Sequence, residues 1–260
     1  MTWRKASDGV GAARCEPEIG ALSDLYGAHD RNAHGDYGEE TTLMTTLNAM
    51  PGRIALLAQT AAQCETVQQI IDIAATAEAL AVTAIGGAVQ SALDGQLALN
   101  NEQIQFLKAA RAAEQAHYEV LVGAGAKPLT LTFTVPDPRI VTDARVLLTT
   151  AINLEEAFIA AYLAAAQEFA LLGQPDLVKL ALQIGGVEAE HRAHLRFYAI
   201  AGGVISGVPN NVAFEKSLFT SVGAAAEALI QLGFIGGDGP EITYPGPGEI
   251  DYSGVTQLRP

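Results

Sequence analysis

Cysteine is scarce in this chain of 260 residues, which contains only Cys15 and Cys64. The two cysteines have neither the spacing of a zinc site nor that of a Cys-x-x-Cys redox motif. They are therefore either two free thiols or one disulfide. Neither reading assigns the chain to a cellular compartment.

Basic residues are also few, with 15 lysines and arginines against 29 aspartates and glutamates and a formal net charge of −14. Nucleic acids and anionic membranes are bound by basic surfaces, which this composition does not supply. We therefore expect neither of them as a partner. Most surface acids serve solubility, although an acidic chain also suits a protein that handles cations.

Long apolar runs are missing as well. No run of about 18 or more residues is apolar without polar interruption, so we predict a soluble protein without a membrane span. Arg4 and Lys5 are not followed by an apolar stretch, and the N-terminus does not have the pattern of a signal peptide. The sequence leaves both a cytoplasmic and an exported location open.

Alanine and leucine dominate the middle of the chain, where apolar residues recur at helical spacing in four successive segments. We predict an all-α fold in which residues 65–203 form a four-helix bundle. Residues 1–64 are polar and lack this periodicity, and we expect them to form an N-terminal extension. The region 204–232 is predicted to contain a shorter helix, at 212–232, that packs on the bundle.

Two further segments are predicted to be extended. Between the second and third helices, residues 127–138 alternate like a strand but have no second strand to pair with, which indicates a long extended crossover. Residues 233–260 are rich in proline and glycine, and we expect an extended tail with Tyr244 and Tyr252 as docking points.

Metal-binding side chains recur at one spacing in two of the helices. Glu114 precedes His117 by three residues, and Glu188 precedes His191 in the same way. Residues three apart lie about 60° apart around a helix, so a carboxylate and an imidazole can hold one metal ion. Both glutamates fall within apolar stripes, where a carboxylate without a partner costs several kcal/mol.

The other two helices each carry one acid within an apolar stripe. Glu78 lies between Ile71, Val82 and Ile85 at helical spacing. In the third helix Glu155 and Glu156 are neighbours, and only Glu155 has apolar residues three, four and seven positions away. We therefore expect Glu155, and not Glu156, to point inward.

This ordered set resembles the ligand set of ferritin-like di-iron and di-manganese carboxylate bundles, which take one glutamate from each of two helices and Glu-x-x-His from the other two. Residues 71–83, 125–129, 157–162 and 187–192 also resemble a bacterial group of ferritin-like domain proteins, similar to desiccation-related proteins and rubrerythrin-type bundles. Many members of that group carry an export signal, which is not recognisable here. The resemblance implies a ferritin-like four-helix bundle with a long crossover between helices 2 and 3, and these metal ligands: Glu78, Glu114, His117, Glu155, Glu188 and His191.

The implied cofactor is a pair of iron or manganese ions, roughly 3.5 to 4 Å apart. Four carboxylates balance two divalent ions, and this mixture of oxygen and nitrogen ligands suits iron, manganese or, adventitiously, zinc. The implied function is redox chemistry with dioxygen or peroxide, as in ferroxidases, peroxidases and manganese catalases, or metal handling. The alternative is a structural or stress-protective bundle, or an accessory subunit. A homo-oligomer or larger assembly could form through the N-terminal arm and the tail.

Weaker metal or redox candidates have simpler interpretations. We expect His194 to be a surface histidine, residues 29–36 a solvated loop, and Glu119 and Glu190 exposed. Three tyrosines near the motifs are expected to pack in the core with satisfied hydroxyls: Tyr118, Tyr162 and Tyr198.

Overall fold

The computed structural model describes residues 65–255. Four long helices make up most of this part, followed by one short helix: α1 Val67–Leu93, α2 Asn101–Gly123, α3 Ala144–Leu171, α4 Pro175–Ala201 and α5 Val222–Gln231. They form the predicted ferritin-like all-α bundle. The expectations for residues 1–64, including the loop at 29–36, lie outside the described residues, as does the question whether Cys15 and Cys64 are free thiols or one disulfide.

The first two helices begin at capping boxes. Thr66 accepts a hydrogen bond from the backbone N–H of Gln69, whose side chain accepts one from the Thr66 N–H. Asn100 and Gln103 make the same exchange at the start of α2. Because these bonds satisfy backbone donors that have no partner within the helix, both helix starts are fixed by local sequence.

The long helices pack chiefly as two pairs, α1 with α2 and α3 with α4. Apolar clusters lie along the bundle, and the largest combines α1, α3, α5, the crossover and the tail around the fully buried Phe133. Buried glutamates and histidines lie among these apolar side chains.

The crossover contains a paired strand, and the prediction that it has no partner was wrong. β1 (Thr132–Thr134) pairs antiparallel with β2 (Glu241–Thr243), which lies in the C-terminal tail. Only three residues of each strand pair, and the partners lie more than a hundred positions apart, so no local alternation in the tail revealed β2. The pairing supplies backbone partners to a segment that buries Phe133.

The C-terminal helix is shorter than predicted, since α5 begins at Val222 and the segment 212–221 is not helical. Ser221 caps the helix by accepting a hydrogen bond from the Ala224 N–H. Before this cap, Glu215 and Lys216 form ion pairs with Arg192 on α4 and Glu156 on α3. These two contacts hold the preceding segment along the bundle in a non-helical conformation.

The described part of the tail docks on α2. The Tyr244 hydroxyl donates to the Gln115 side chain at 2.7 Å, and the buried Lys108 ammonium lies 2.7 Å from Asp251. Tyr244 is buried, as expected of a docking residue, whereas Tyr252 is largely exposed. The tail is thus anchored by Tyr244, as predicted, and by Asp251, which the sequence did not single out.

Two helices, α1 and α3, are long and apolar enough to cross a membrane by length and composition alone. Core helices of bundles have the same properties, and a buried glutamate interrupts each apolar sequence, Glu78 in α1 and Glu155 in α3. The absence of a membrane span stays a prediction.

Two carboxylates bind the N-terminus of α5. Glu168 on α3 accepts a hydrogen bond from the Val222 N–H at 2.9 Å, and Glu65 accepts one from the Gly223 N–H at 2.9 Å. Burial raises the pKa of Glu168 from an ordinary value of 4.5 to about 7, although the bond from Val222 opposes this shift. Docking of α5 therefore places a carboxyl group where its charge is unfavourable.

We expect Glu168→Gln to change the pH dependence of stability. A folded-state pKa above the unfolded one contributes stability below pH 4.5 that is lost as the pH rises through about 7. Glutamine keeps the accepting oxygen and cannot ionise. The free energy of unfolding of the variant, relative to the natural chain, should therefore rise between pH 5 and pH 8 in urea denaturation.

The matched control for this prediction is Glu227→Gln, which removes an exposed carboxylate from α5 itself. The pH-dependent gain should be absent from this control. An equal difference in stability between Glu168→Gln and the natural chain at both pH values would contradict the assignment.

Candidate metal centre

The six residues singled out in the sequence meet between the four long helices. Their carboxylate oxygens and imidazole nitrogens form two groups, and within each group the atoms lie within 4.8 Å of one another. One group contains Glu78, Glu114, His117 and Glu188, and the other contains Glu114, Glu155, Glu188 and His191. The structure therefore brings every predicted ligand into one cluster.

Glu114 and Glu188 belong to both groups. The first group is completed by Glu78 and His117, and the second by Glu155 and His191. The two groups are adjacent and share two carboxylates. The cluster therefore consists of two overlapping groups of potential metal ligands.

All six side chains are buried, and Glu78, Glu114 and Glu188 are each 0% exposed. Of the neighbours on α3, Glu155 is the buried one, as the apolar spacing predicts. Glu156 instead lies 2.8 Å from the Lys216 ammonium. Glu119 and Glu190 are exposed, also as expected.

Each imidazole turns its Nδ1 atom toward three carboxylates. His117 Nδ1 lies 3.2 Å from both Glu114 and Glu188 and 3.6 Å from Glu78. His191 Nδ1 lies 2.9 Å from Glu114, 3.4 Å from Glu188 and 3.8 Å from Glu155. Both nitrogens therefore face the space that the carboxylates surround.

The cluster shifts the proton affinities of its members in opposite directions. Burial raises the pKa of Glu78 and of Glu155 well above the ordinary value, because a charged carboxylate loses its hydration there. Burial acts in the same sense on Glu114, but the charge and close approach of His191, together with the hydrogen bond to His117, outweigh it and lower the pKa. Two of the four carboxyl groups therefore favour the protonated form.

The same carboxylates also change the pKa of each imidazole. Burial alone would lower the pKa of His117 and of His191, but the charges and close contacts of the surrounding glutamates, Glu114 above all, raise both. Without metal, the cluster balances its buried charge with protons. Divalent cations entering the same space would have to displace those protons.

Unsatisfied polar atoms are concentrated in this cluster. Among the described residues, seven buried side-chain atoms lack a hydrogen-bond partner, and all but Arg192 Nε belong to Glu78, Glu114, Glu155, Glu188 and His191. Several of these atoms lie near one another, but the contacts do not have hydrogen-bond geometry. Buried polar atoms of this kind require partners, and hard or borderline divalent cations match oxygen and imidazole donors. The residues present therefore fit a pair of such ions.

Tyr162 contacts the cluster directly. Its hydroxyl donates a hydrogen bond to Glu78 Oε1, across from α3 to α1. Burial, together with the charge of Glu78, raises the pKa of Tyr162 well above its ordinary value, so the phenol stays a donor. The expectation of a buried, satisfied hydroxyl was right, but the sequence did not identify Glu78 as its acceptor. The available signal was the position of Tyr162, seven residues after Glu155 on the same stripe.

The other aromatic residues near the motifs pack without contacting the carboxylates. Tyr118 packs on Tyr244 with ring centroids 4.7 Å apart, and Tyr198 packs on Phe106 at 5.6 Å. His194 is exposed and stacks on Phe106 at 4.5 Å. Tyr198 is buried and His194 is exposed, as expected, whereas Tyr118 is only partly buried.

Arg192, next to His191, was not singled out in the sequence. Its guanidinium is buried and donates two hydrogen bonds to Glu215, at 2.6 and 2.8 Å. The partner lies 23 positions later in an irregular segment, so helical spacing gives no signal for this pair. The pair fixes that segment against α4 beside the cluster.

Comparison with known proteins supports the four-helix fold. The sequence profile of the ferritin-like domain family matches residues 65–200, more than half of the chain and the whole of the four long helices but the last residue of α4. No curated protein and no solved structure matches the chain significantly.

Proposed function

Because the chain belongs to the ferritin-like domain family, we propose that its buried cluster holds two iron or manganese ions and carries out redox chemistry with dioxygen or peroxide. The observation that carries the proposal is the set of buried carboxylate and imidazole atoms without hydrogen-bond partners. Such atoms are costly in a folded protein unless cations or protons satisfy them.

Each of the six residues would hold either one ion or both. Glu114 and Glu188 would help to hold both ions, since their oxygens lie in both groups. Glu78 and His117 would complete one position, and Glu155 and His191 the other. Four carboxylates neutralise two divalent cations, so loading exchanges protons for metal at little net change in buried charge.

Iron or manganese bound there would supply changes of oxidation state and coordination positions for an oxygen species. The chain itself keeps bulk water away from the carboxylates, because Glu78, Glu114 and Glu188 are fully buried. In such surroundings the charges of bound ions and ligands interact more strongly than in water. Tyr162 holds a proton at its hydroxyl oxygen, directed at Glu78.

The proposal is tested by metal analysis combined with turnover. The full chain, loaded with iron(II) or manganese(II), is expected to hold about two ions and to oxidise iron(II) with dioxygen or to consume peroxide. His191→Asn should lose metal and activity, because its imidazole nitrogen lies among three of the carboxylates. The matched control is His194→Asn, three residues further on α4 and exposed, which should retain both.

The two possible failures have different meanings. A chain that binds fewer than two ions would contradict the metal centre itself. A chain that binds two ions but turns over neither dioxygen nor peroxide would contradict the redox proposal. It would favour the alternative of a structural or stress-protective bundle, or an accessory subunit, in which metal only stabilises the fold.

A further inference from the structure

The two ion positions differ in how their outer glutamates are held. Glu78 and Glu155 occupy matching places on α1 and α3, each completing one of the two groups. Glu78 Oε1 accepts the Tyr162 hydroxyl, and its Oε2 lies 3.6 Å from His117 Nδ1. Glu155 accepts no such hydrogen bond from the described part of the chain: its Oε1 lies 3.8 Å from His191 Nδ1, and its Oε2, like Glu78 Oε2, has no hydrogen-bond partner there. One outer carboxylate is thus fixed by a second residue, whereas the other is not.

The difference originates in the sequence. Tyr162 lies seven residues after Glu155, and the residue seven positions after Glu78 is Ile85. The isoleucine side chain has no hydrogen-bond donor, so this position of α1 cannot donate to Glu155 in the way that Tyr162 on α3 donates to Glu78. The pair α1 and α2 therefore carries the same types of ligand as the pair α3 and α4, but α1 has no hydroxyl at the position that matches Tyr162.

The tyrosine is itself held in place by close packing. Its side chain is buried, and α4 passes next to it at Gly185, where an added Cβ would lie 3.3 Å from Tyr162 Cβ. That distance is tighter than most contacts of this kind, so a larger residue at 185 would press on the tyrosine. The small residue on α4 therefore leaves room for a ring that spans from α3 to α1.

We infer that Tyr162 is a positioning residue that makes the two ion positions unequal, so that the Glu78–His117 position binds its ion more tightly and is occupied first. This inference rests on the proposed function. The hydroxyl occupies one oxygen of Glu78 and leaves the other directed at the site, which removes rotational freedom that Glu155 retains. Outer hydrogen bonds that orient a ligand are typically worth about 10- to 100-fold in metal affinity.

The experiment titrates the metal-free full chain with manganese(II) in competition with a chromophoric chelator. The natural chain should bind two ions in two separate steps. In Tyr162→Phe the tighter step should weaken by about 10- to 100-fold, while the other step is unchanged. Tyr198→Phe removes a hydroxyl from another buried tyrosine, which packs on Phe106, and should leave both steps unchanged. Circular dichroism checks that each variant is folded.

Two backgrounds separate positioning from a general loss of packing. With Glu155→Gln, the remaining tight ion occupies the Glu78 position, and Tyr162→Phe should still weaken it. With Glu78→Leu, the oxygen that accepts the tyrosine hydroxyl is gone, and Tyr162→Phe should have no further effect. Equal weakening in both backgrounds would overturn the inference, because a packing defect does not depend on which glutamate is present.

The remaining outcomes are equally decisive. If Tyr162→Phe binds two manganese ions with the same two affinities as the natural chain, the role of Tyr162 is overturned and the proposed metal centre stays intact. Failure of the natural chain to bind two manganese ions would overturn the metal centre, and the inference with it.

Discussion

Loading the metal-free protein with manganese(II) or iron(II) should raise its melting temperature, and chelation should reverse the rise. The folded chain gathers six donors that the unfolded chain disperses, so metal binds the folded state preferentially. Free metal at about 1,000 times its dissociation constant adds about 4.1 kcal/mol per site to the free energy of unfolding. For a domain of this size that corresponds to a rise of roughly 8 to 16 °C per site.

Thermal unfolding followed by circular dichroism measures this shift, with metal content determined on the same samples. Magnesium at equal concentration is the control, because it prefers all-oxygen octahedral sites and this cluster includes two imidazoles. An unchanged melting temperature after verified loading and removal would mean that protons or internal hydrogen bonds satisfy the buried acids equally well in the metal-free protein.

The second large effect is expected when Glu114 or Glu188, the glutamates common to both groups, is replaced. Glu114→Gln or Glu188→Gln keeps the length of the side chain but removes a charge and leaves an amide oxygen, a poorer ligand for a cation. Because each residue belongs to both groups, one substitution should weaken both ions. The loss in affinity should exceed the roughly 10- to 100-fold that loss of an outer hydrogen bond costs, and any oxygen- or peroxide-dependent activity should fall with metal content.

Matched controls lie on the same helices. Glu119→Gln on α2 and Glu190→Gln on α4 remove exposed carboxylates and should retain metal, activity and helix content. Metal analysis and circular dichroism on the four variants complete the comparison. Equal metal content in all four would show that the two Glu-x-x-His pairs are satisfied polar groups of the core, and that only the fold is shared with di-metal bundles.

The positions of the six acids and imidazoles could be predicted because helical spacing is a local property. Glu155 is buried and Glu156 is not, since apolar neighbours at three, four and seven positions fix which side of α3 faces inward. The same argument places Glu78 on α1. Spacing along one helix predicts which side chains point inward, and the resemblance to ferritin-like bundles implied that the four helices bring them together.

Contacts between distant segments could not be predicted in this way. The hydrogen bond from Tyr162 to Glu78 depends on which helices adjoin across the bundle, and the pair of Arg192 with Glu215 depends on the path of an irregular segment. The predicted start of α5 at residue 212 was wrong because ion pairs to α3 and α4 outweigh the local apolar spacing.

The pairing of β1 with β2 has a consequence for synthesis of the chain. Thr132 and its partner Thr243 are separated by 111 positions, and ribosomes add about 5 to 20 residues per second. All four long helices are therefore synthesised before β2, and β1 stays unpaired for roughly 5 to 20 seconds. An unpaired strand can template association between chains. The edge of β1 is thus open to pairing with another chain in this interval, which ends when the tail leaves the ribosome and closes over Phe133.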